Sequence, residues 1–282
     1  MSTTVSTVSP NRLAASSVAD TALKVAAGFW LLMAVIGQWS FLYYIVAFYG
    51  RSTLTGNLQA WTKNTFLRMS YVRGDTAGNI AFASHTLLAA VIAFGGALQL
   101  IPQIRARAIS VHRWIGRIFF VTALGLSTSG LYLVWVRGDR GDMVGGLAIS
   151  LNAVFIILFC CLAWRSALAH SISTHRRWAL RAYLVANAQW FTRVGFMAWV
   201  VTSHALFGDR AEKSFGIFFN FWNFGCYLVP LTVLELYLRA KEGSSRTGRL
   251  ALSGGLVVLT LIMAAGIVGY TFLWQPIVQA AK

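Results

Sequence analysis

Seven stretches of this chain are each long and apolar enough to cross a hydrocarbon layer of about 30 Å, a distance that takes roughly 20 residues of helix. They run over roughly 24–49, 78–101, 114–136, 143–165, 178–203, 215–238 and 249–274. Lipid offers the backbone no hydrogen-bonding partner, so each stretch must pair its own N–H and C=O groups as a helix. A membrane barrel would show short alternating strands instead. The fold class expected is all-α, a polytopic membrane bundle of seven transmembrane helices. Composition agrees, because 57% of the 282 residues are hydrophobic and only 11% are charged. A soluble protein of this size has neither the interior for the first nor the surface coverage from the second. Residues 1–23 read as a mobile tail, 24–274 as the transmembrane domain and 275–282 as a short C-terminal tail. The N-terminal stretch carries no basic segment leading into an apolar core, and so does not read as a cleavable signal.

The net charge is +16, from 24 Lys and Arg against 8 Asp and Glu. In a membrane protein such an excess first sets orientation, since cytoplasmic connections collect the basic residues. With the N-terminus inside, the cytoplasmic ends would hold Arg12 and Lys24; Arg105, Arg107, Arg113 and Arg117; Arg165, Arg176, Arg177 and Arg181; and Arg239, Lys241, Arg246 and Arg249. The outer loops balance Arg137 and Arg140 with Asp139 and Asp142, and Arg210 and Lys213 with Asp209 and Glu212. The loop 50–77 departs from the rule, with Arg51, Lys63, Arg68 and Arg73 against Asp75. Its Trp61, Phe66 and Tyr71 suggest a segment lying on the outer interface. Seven crossings then place the C-terminus outside a bacterial inner membrane. Cys160, Cys161 and Cys226 have no metal-binding or disulfide spacing.

Ionisable residues inside a span cost about 2.5–3.5 kcal/mol even on the lenient insertion scale. Three stand out: His85, Arg193 and Glu235. Helical spacing sorts the polar residues into faces. On the second span His85, Ala89, Ile92, Gly96, Gln99 and Gln103 share one stripe. The third span carries His112, Gly116, Phe119, Ala123, Leu126 and Gly130, and the fifth His175, Ala182, Ala186, Gln189 and Arg193. Small residues along such stripes admit either a closely packed helix or a flat cofactor.

Two similar motifs open the third and fifth spans, His112-Arg113-Trp114-Ile115-Gly116-Arg117 and His175-Arg176-Arg177-Trp178-Ala179-Leu180-Arg181. They bring two imidazoles and several guanidiniums to one level. His85 lies roughly 24 Å away along the membrane normal, at the depth of Arg193, with which it can share an outer polar pocket. Glu235 suits a pairing with Arg181 or Arg177.

Two chemistries follow. A b-type haem needs two imidazoles on facing helices, small residues beside them and cations for its propionates, which makes His112 and His175 the axial ligand candidates. An anionic lipid-like or quinone-type ligand would instead lay its head group among Arg113, Arg117, Arg176, Arg177 and Arg181 and its tail in the bundle. Arg residues at cytoplasmic helix ends can also serve simply as anchors to lipid phosphates. A structural subunit of a larger membrane assembly, with a membrane-protein partner, is a third reading. The chain offers no di-metal carboxylate set, no zincin or serine-hydrolase motif, no phosphate loop and no nucleic-acid-binding domain.

The stretch His85–Gln103, the His112–Arg117 motif, and the His175–Arg181 motif with the later Arg193 resemble a widespread family of bacterial integral membrane proteins known as a predicted membrane domain of unknown function. The resemblance spans about residues 75–200 and implies the polytopic fold without naming a reaction. Hairpins with His at helix ends are also loosely similar to membrane cytochromes b. Those place His pairs at two levels, whereas this chain offers one.

Overall fold

The computed structural model describes residues 10–64, 67, 69–139, 141–208, 210–243 and 245–280, with side chains at all of these except 10–17, 204–207 and 280. Residues Phe66, Arg68, Arg140 and Asp209 and the side chains of Arg12 and His204 lie outside the described set. Among the described residues every regular element is helical: α1 (Pro10–Tyr44), α2 (Arg51–Leu54), α3 (Thr76–Leu100), α4 (Pro102–Arg107), α5 (Ile109–Trp135), α6 (Met143–Leu168), α7 (Ile172–Ala186), α8 (Ala188–Phe207), α9 (Arg210–Gly243) and α10 (Arg246–Ala280).

The first helix starts earlier than expected. Residues 10–23, read as part of a mobile tail, open α1. Ala19 and Leu23 are buried, and Asp20 pairs with Arg249 of α10 at 2.6 Å, so this turn is tied down. At the other end α10 runs through Pro276 to Ala280, taking in most of the residues read as a C-terminal tail. Asp75 and Asp142 cap α3 and α6 by accepting from the backbone N–H of Gly78 and Gly145 at 2.8 and 2.6 Å, satisfying amides that a helix start leaves unpaired.

Among the described residues, six helical spans are long and apolar enough to cross a membrane: α1 continued through α2, then α3, α5, α6, α9 and α10. The expected seventh, over 178–203, is where the structure departs. That stretch is two helices, α7 and α8, interrupted at Asn187, whose side chain donates to the Tyr183 carbonyl at 2.8 Å. The physical reason is its position. Ala182 to Val185 are buried around the whole helix, and Ala188, Trp190, Phe191, Val194 and Ala198 follow. A segment largely wrapped by protein has no need of a uniformly apolar surface and can carry Arg181, Asn187 and Arg193, although Gln189 stays exposed. Around it, α1 packs on α10 and α3, α3 on α5, α5 on α6, α6 on α7 and α9, and α8 on α9 and α10.

The long loop also corrects an expectation. A π-helical turn (Ile45–Gly50) and a 3-10 helix (Leu58–Lys63) fold the chain back into the bundle. Trp61 is fully buried instead of lying on an interface, its indole donating to Ser52 Oγ at 3.0 Å and its ring meeting Phe82. Tyr71 packs partly buried against the same core.

Candidate functional site

The two His-Arg motifs converge at one end of the bundle, and each repeats the same local contact. An Arg three residues after a Trp lies on the same helix face, so Arg117 sits over Trp114 at 5.0 Å and Arg181 over Trp178 at 4.6 Å. The His175 Nδ1 lies 2.9 Å from the Ala163 carbonyl. A carbonyl only accepts, so Nδ1 carries a proton, and Nε2 is the nitrogen left to face a ligand. His112 holds a buried Nδ1 without a hydrogen-bond partner, while its backbone carbonyl accepts from Gln99 Nε2 at 2.8 Å. The two imidazoles lie within coulombic reach of each other.

The guanidiniums divide. Arg181 makes a two-pronged pair with Glu235, its Nε and Nη2 donating at 2.7 and 2.9 Å, which realises one of the two pairings expected. Arg177 pairs with Glu242 at 2.9 Å. Arg113 and Arg117 are exposed on α5. The expected single cluster of five is therefore partly spent on structure and partly turned to the outside.

The small-residue stripes are closed by neighbours. A side-chain atom on Gly96 would meet Phe119 and Tyr183, each at 3.1 Å, one on Gly130 would meet His85 at 3.2 Å, and one on Gly116 would meet Gln99. Gly96 and Gly130 are tightly packed by these side chains, while Gly116 meets Gln99 at ordinary contact distance. The stripe through His85 also ends sooner than its spacing suggested, because Ile101 and Pro102 close α3 and leave Gln103 exposed on α4.

What the site does contain is a groove. Residues of α1, α7, α8, α9 and α10 enclose an apolar space of about 450 Å³, walled by Trp30, Leu184, Val194, Trp222, Pro230, Val233, Tyr237 and Met263. Along α9 it extends from Trp222 to Tyr237, about 22 Å at 1.5 Å per residue. Lys24 and Arg176, both exposed, and the half-buried Arg105 line it on the side of the His motifs. Among the described residues none of the three has an ion-pair partner. Burial, and then the neighbouring Arg176, pull the Arg105 guanidinium below its ordinary pKa. It stays charged at any pH the protein meets, so two like charges are held side by side.

Of the residues singled out from the sequence, only Arg176 lines this groove. Lys24 and Arg105 had been counted as orientation charges; the available signal was that both flank the same helix ends as the His motifs.

At the opposite end His85 Nδ1 meets Ser129 Oγ at 3.0 Å, and Arg193 donates from Nη1 to the Gln189 carbonyl at 2.7 Å while lying over Phe41 at 5.3 Å. The two groups lie close enough for the Arg193 charge to be felt at the imidazole, but His85 is turned to its serine.

No match was found among curated proteins or among solved structures. One family model does match, over residues 82–237, which takes in both His motifs, Arg193 and Glu235. With more than half of its length so matched, this chain belongs to the family described as predicted membrane protein (DUF2306), a membrane family of unknown function.

Proposed function

We propose that this integral membrane protein binds or moves an anionic, long-chain amphiphile, its tail in the groove between α1, α7, α8, α9 and α10 and its head group against Lys24, Arg105 and Arg176. The single observation that carries this reading is an apolar groove ending in three cations that have no protein counter-ion among the described residues. Its volume of about 450 Å³ falls within the roughly 300–1,000 Å³ usual for small-molecule sites. A phosphate-bearing head group satisfies several cations at once, whereas a neutral quinone head leaves their repulsion unrelieved. That contrast favours an isoprenoid phosphate or anionic phospholipid over a quinone. In this reading the basic helix ends face the cytoplasm of a bacterial inner membrane, and α7 and α8 act together as one interrupted crossing.

The test is thermal unfolding of the detergent-purified protein with undecaprenyl phosphate, phosphatidylglycerol, phosphatidylcholine and ubiquinone. The two anionic lipids should raise Tm in a dose-dependent way, and the double variant Arg105→Gln/Arg176→Gln should lose that response while keeping its own Tm in phosphatidylcholine. Equal stabilisation by all four lipids would overturn the reading.

The imidazoles carry a second reading, a b-type haem ligated by His112 and His175. The buried unpartnered Nδ1 of His112 and the oriented Nε2 of His175 favour it, while the filled glycine positions speak against it. A dithionite-reduced absorption spectrum decides between them: Soret and α bands that vanish in His175→Ala would support haem, and a featureless visible spectrum would end this reading.

A further inference from the structure

The end of the bundle away from the groove's cationic mouth holds another charge without a counter-ion. Arg193 of α8 points among α1, α3 and α10, with Phe41, His85 and Tyr270 around it. Among the described residues no carboxylate lies within ion-pair distance of it. The protein gives its guanidinium one backbone carbonyl, that of Gln189, and one aromatic face.

The neighbourhood is otherwise rich in donors. The Tyr270 hydroxyl lies beside the guanidinium but makes no hydrogen bond of full geometry, and the Trp274 indole N–H is buried and unpartnered as well. Tyr44 and Tyr49, which could have supplied accepting oxygens, are both claimed by Asn64 Nδ2, at 3.0 and 2.7 Å. Tyr44, Tyr270 and Trp274 form one ring cluster with centroids 5.1 to 6.2 Å apart, and Phe41 joins it 6.1 Å from Tyr270. Around the half-buried guanidinium, the buried Tyr270 hydroxyl and Trp274 indole add N–H and O–H groups while no carboxylate is supplied, a balance that an incoming oxygen anion would complete.

We propose that Arg193 anchors a binding site for a membrane-soluble monocarboxylate. Its two oxygens would accept from the planar guanidinium, the Tyr270 hydroxyl and the Trp274 indole, and its apolar body would lie against Phe41 and Tyr44. One cation matches a monoanion. The fork of a guanidinium suits two carboxylate oxygens, and the aromatic walls suit an apolar body that a halide lacks. This site is separate from the groove and rests on different residues.

Calorimetric titration of the detergent-purified full chain with benzoate, phenylacetate and chloride tests it; neither carboxylate has the long chain that the groove takes. Both carboxylates should bind saturably and chloride should not compete. Arg193→Gln should weaken carboxylate binding at least about tenfold, and Tyr270→Phe and Trp274→Phe should each weaken it severalfold. Arg105→Gln/Arg176→Gln should leave it unchanged. Absence of carboxylate binding to the unaltered protein, chloride binding as tight as benzoate, or unaltered affinity in Arg193→Gln would overturn the proposal. Should Arg193→Gln fail to fold, the two aromatic variants, which keep the guanidinium, carry the test; full affinity in both would overturn it.

Discussion

Arg181 and Glu235 face each other across α7 and α9 in a two-pronged geometry, with the Arg side chain 15% exposed and the Glu 39%. Breaking a fully buried pair costs about 3–5 kcal/mol, and partial exposure of the carboxylate reduces this, so Arg181→Ala should cost about 1–3 kcal/mol. A drop in Tm in detergent measures it, and Arg181→Ala/Glu235→Ala together should cost less than the sum of the two single variants. At the opposite end Asp75 accepts from the Gly78 N–H and from Arg137 Nε at 2.8 Å each, while Arg137 Nη2 holds Asn79 at 2.7 Å. The Gly78 N–H first, and then Arg137, keep the Asp75 carboxyl below its ordinary pKa. A depressed folded-state pKa gives stability that is present above the unfolded value of about 3.9 and is lost as pH falls through the folded value. Tm should therefore decline with acidification below about pH 4 more steeply in the unaltered protein than in Asp75→Asn. The Arg181 pairing was legible from the sequence because Glu235 is one of very few carboxylates available. The solitude of Lys24, Arg105 and Arg176 was not, because a charge at a helix end looks the same whether it meets lipid phosphate, a carboxylate or a groove.

Helix contacts depend on glycine where two backbones approach. A side-chain atom on Gly266 of α10 would run into the Val194 carbonyl of α8, and backbone cannot move aside as a side chain can. Gly266→Ala should therefore push α8 and α10 apart and cost about 1–3 kcal/mol, visible as a lowered Tm and faster proteolysis. The 3-10 helix at Leu58–Lys63 acts through Trp61, whose removal in Trp61→Ala should cost about 3–5 kcal/mol on the same assay. Six of the seven apolar stretches could be read directly as single helices, since length and hydropathy alone mark them. The inward turn of Trp61 could not. An aromatic residue in a polar loop has the same local sequence whether it floats at a membrane interface or enters the bundle, and only its distant partner Phe82 decides. The break at Asn187 was hidden for a related reason, because propensity reports a helix on either side of it and burial explains why the interruption is tolerated.

Across the whole molecule the charges are unevenly shared between the two ends. Arg137 is neutralised by Asp75 at one end, while Arg105, Arg107, Arg113, Arg117, Arg165 and Arg176 accumulate at the other. If that asymmetry sets orientation, single cysteines placed in a cysteine-free background should label with an impermeant maleimide in intact cells at Asn57→Cys and only after lysis at Gly243→Cys. The reverse pattern would invert the topology. The interrupted α7–α8 segment also bears on how the molecule is made. Its polar residues make it a poor substrate for stepwise insertion by the translocon, and its lodging is built partly from α9 and α10, which are synthesised after it. The α7–α8 segment therefore gains its full set of partners only once the last helix has been made and packs against α1. A chain cut short before α10 would take Tyr270 from beside Arg193 and strip α8 of the helix it packs against, a lesion that membrane quality-control proteases could recognise and remove.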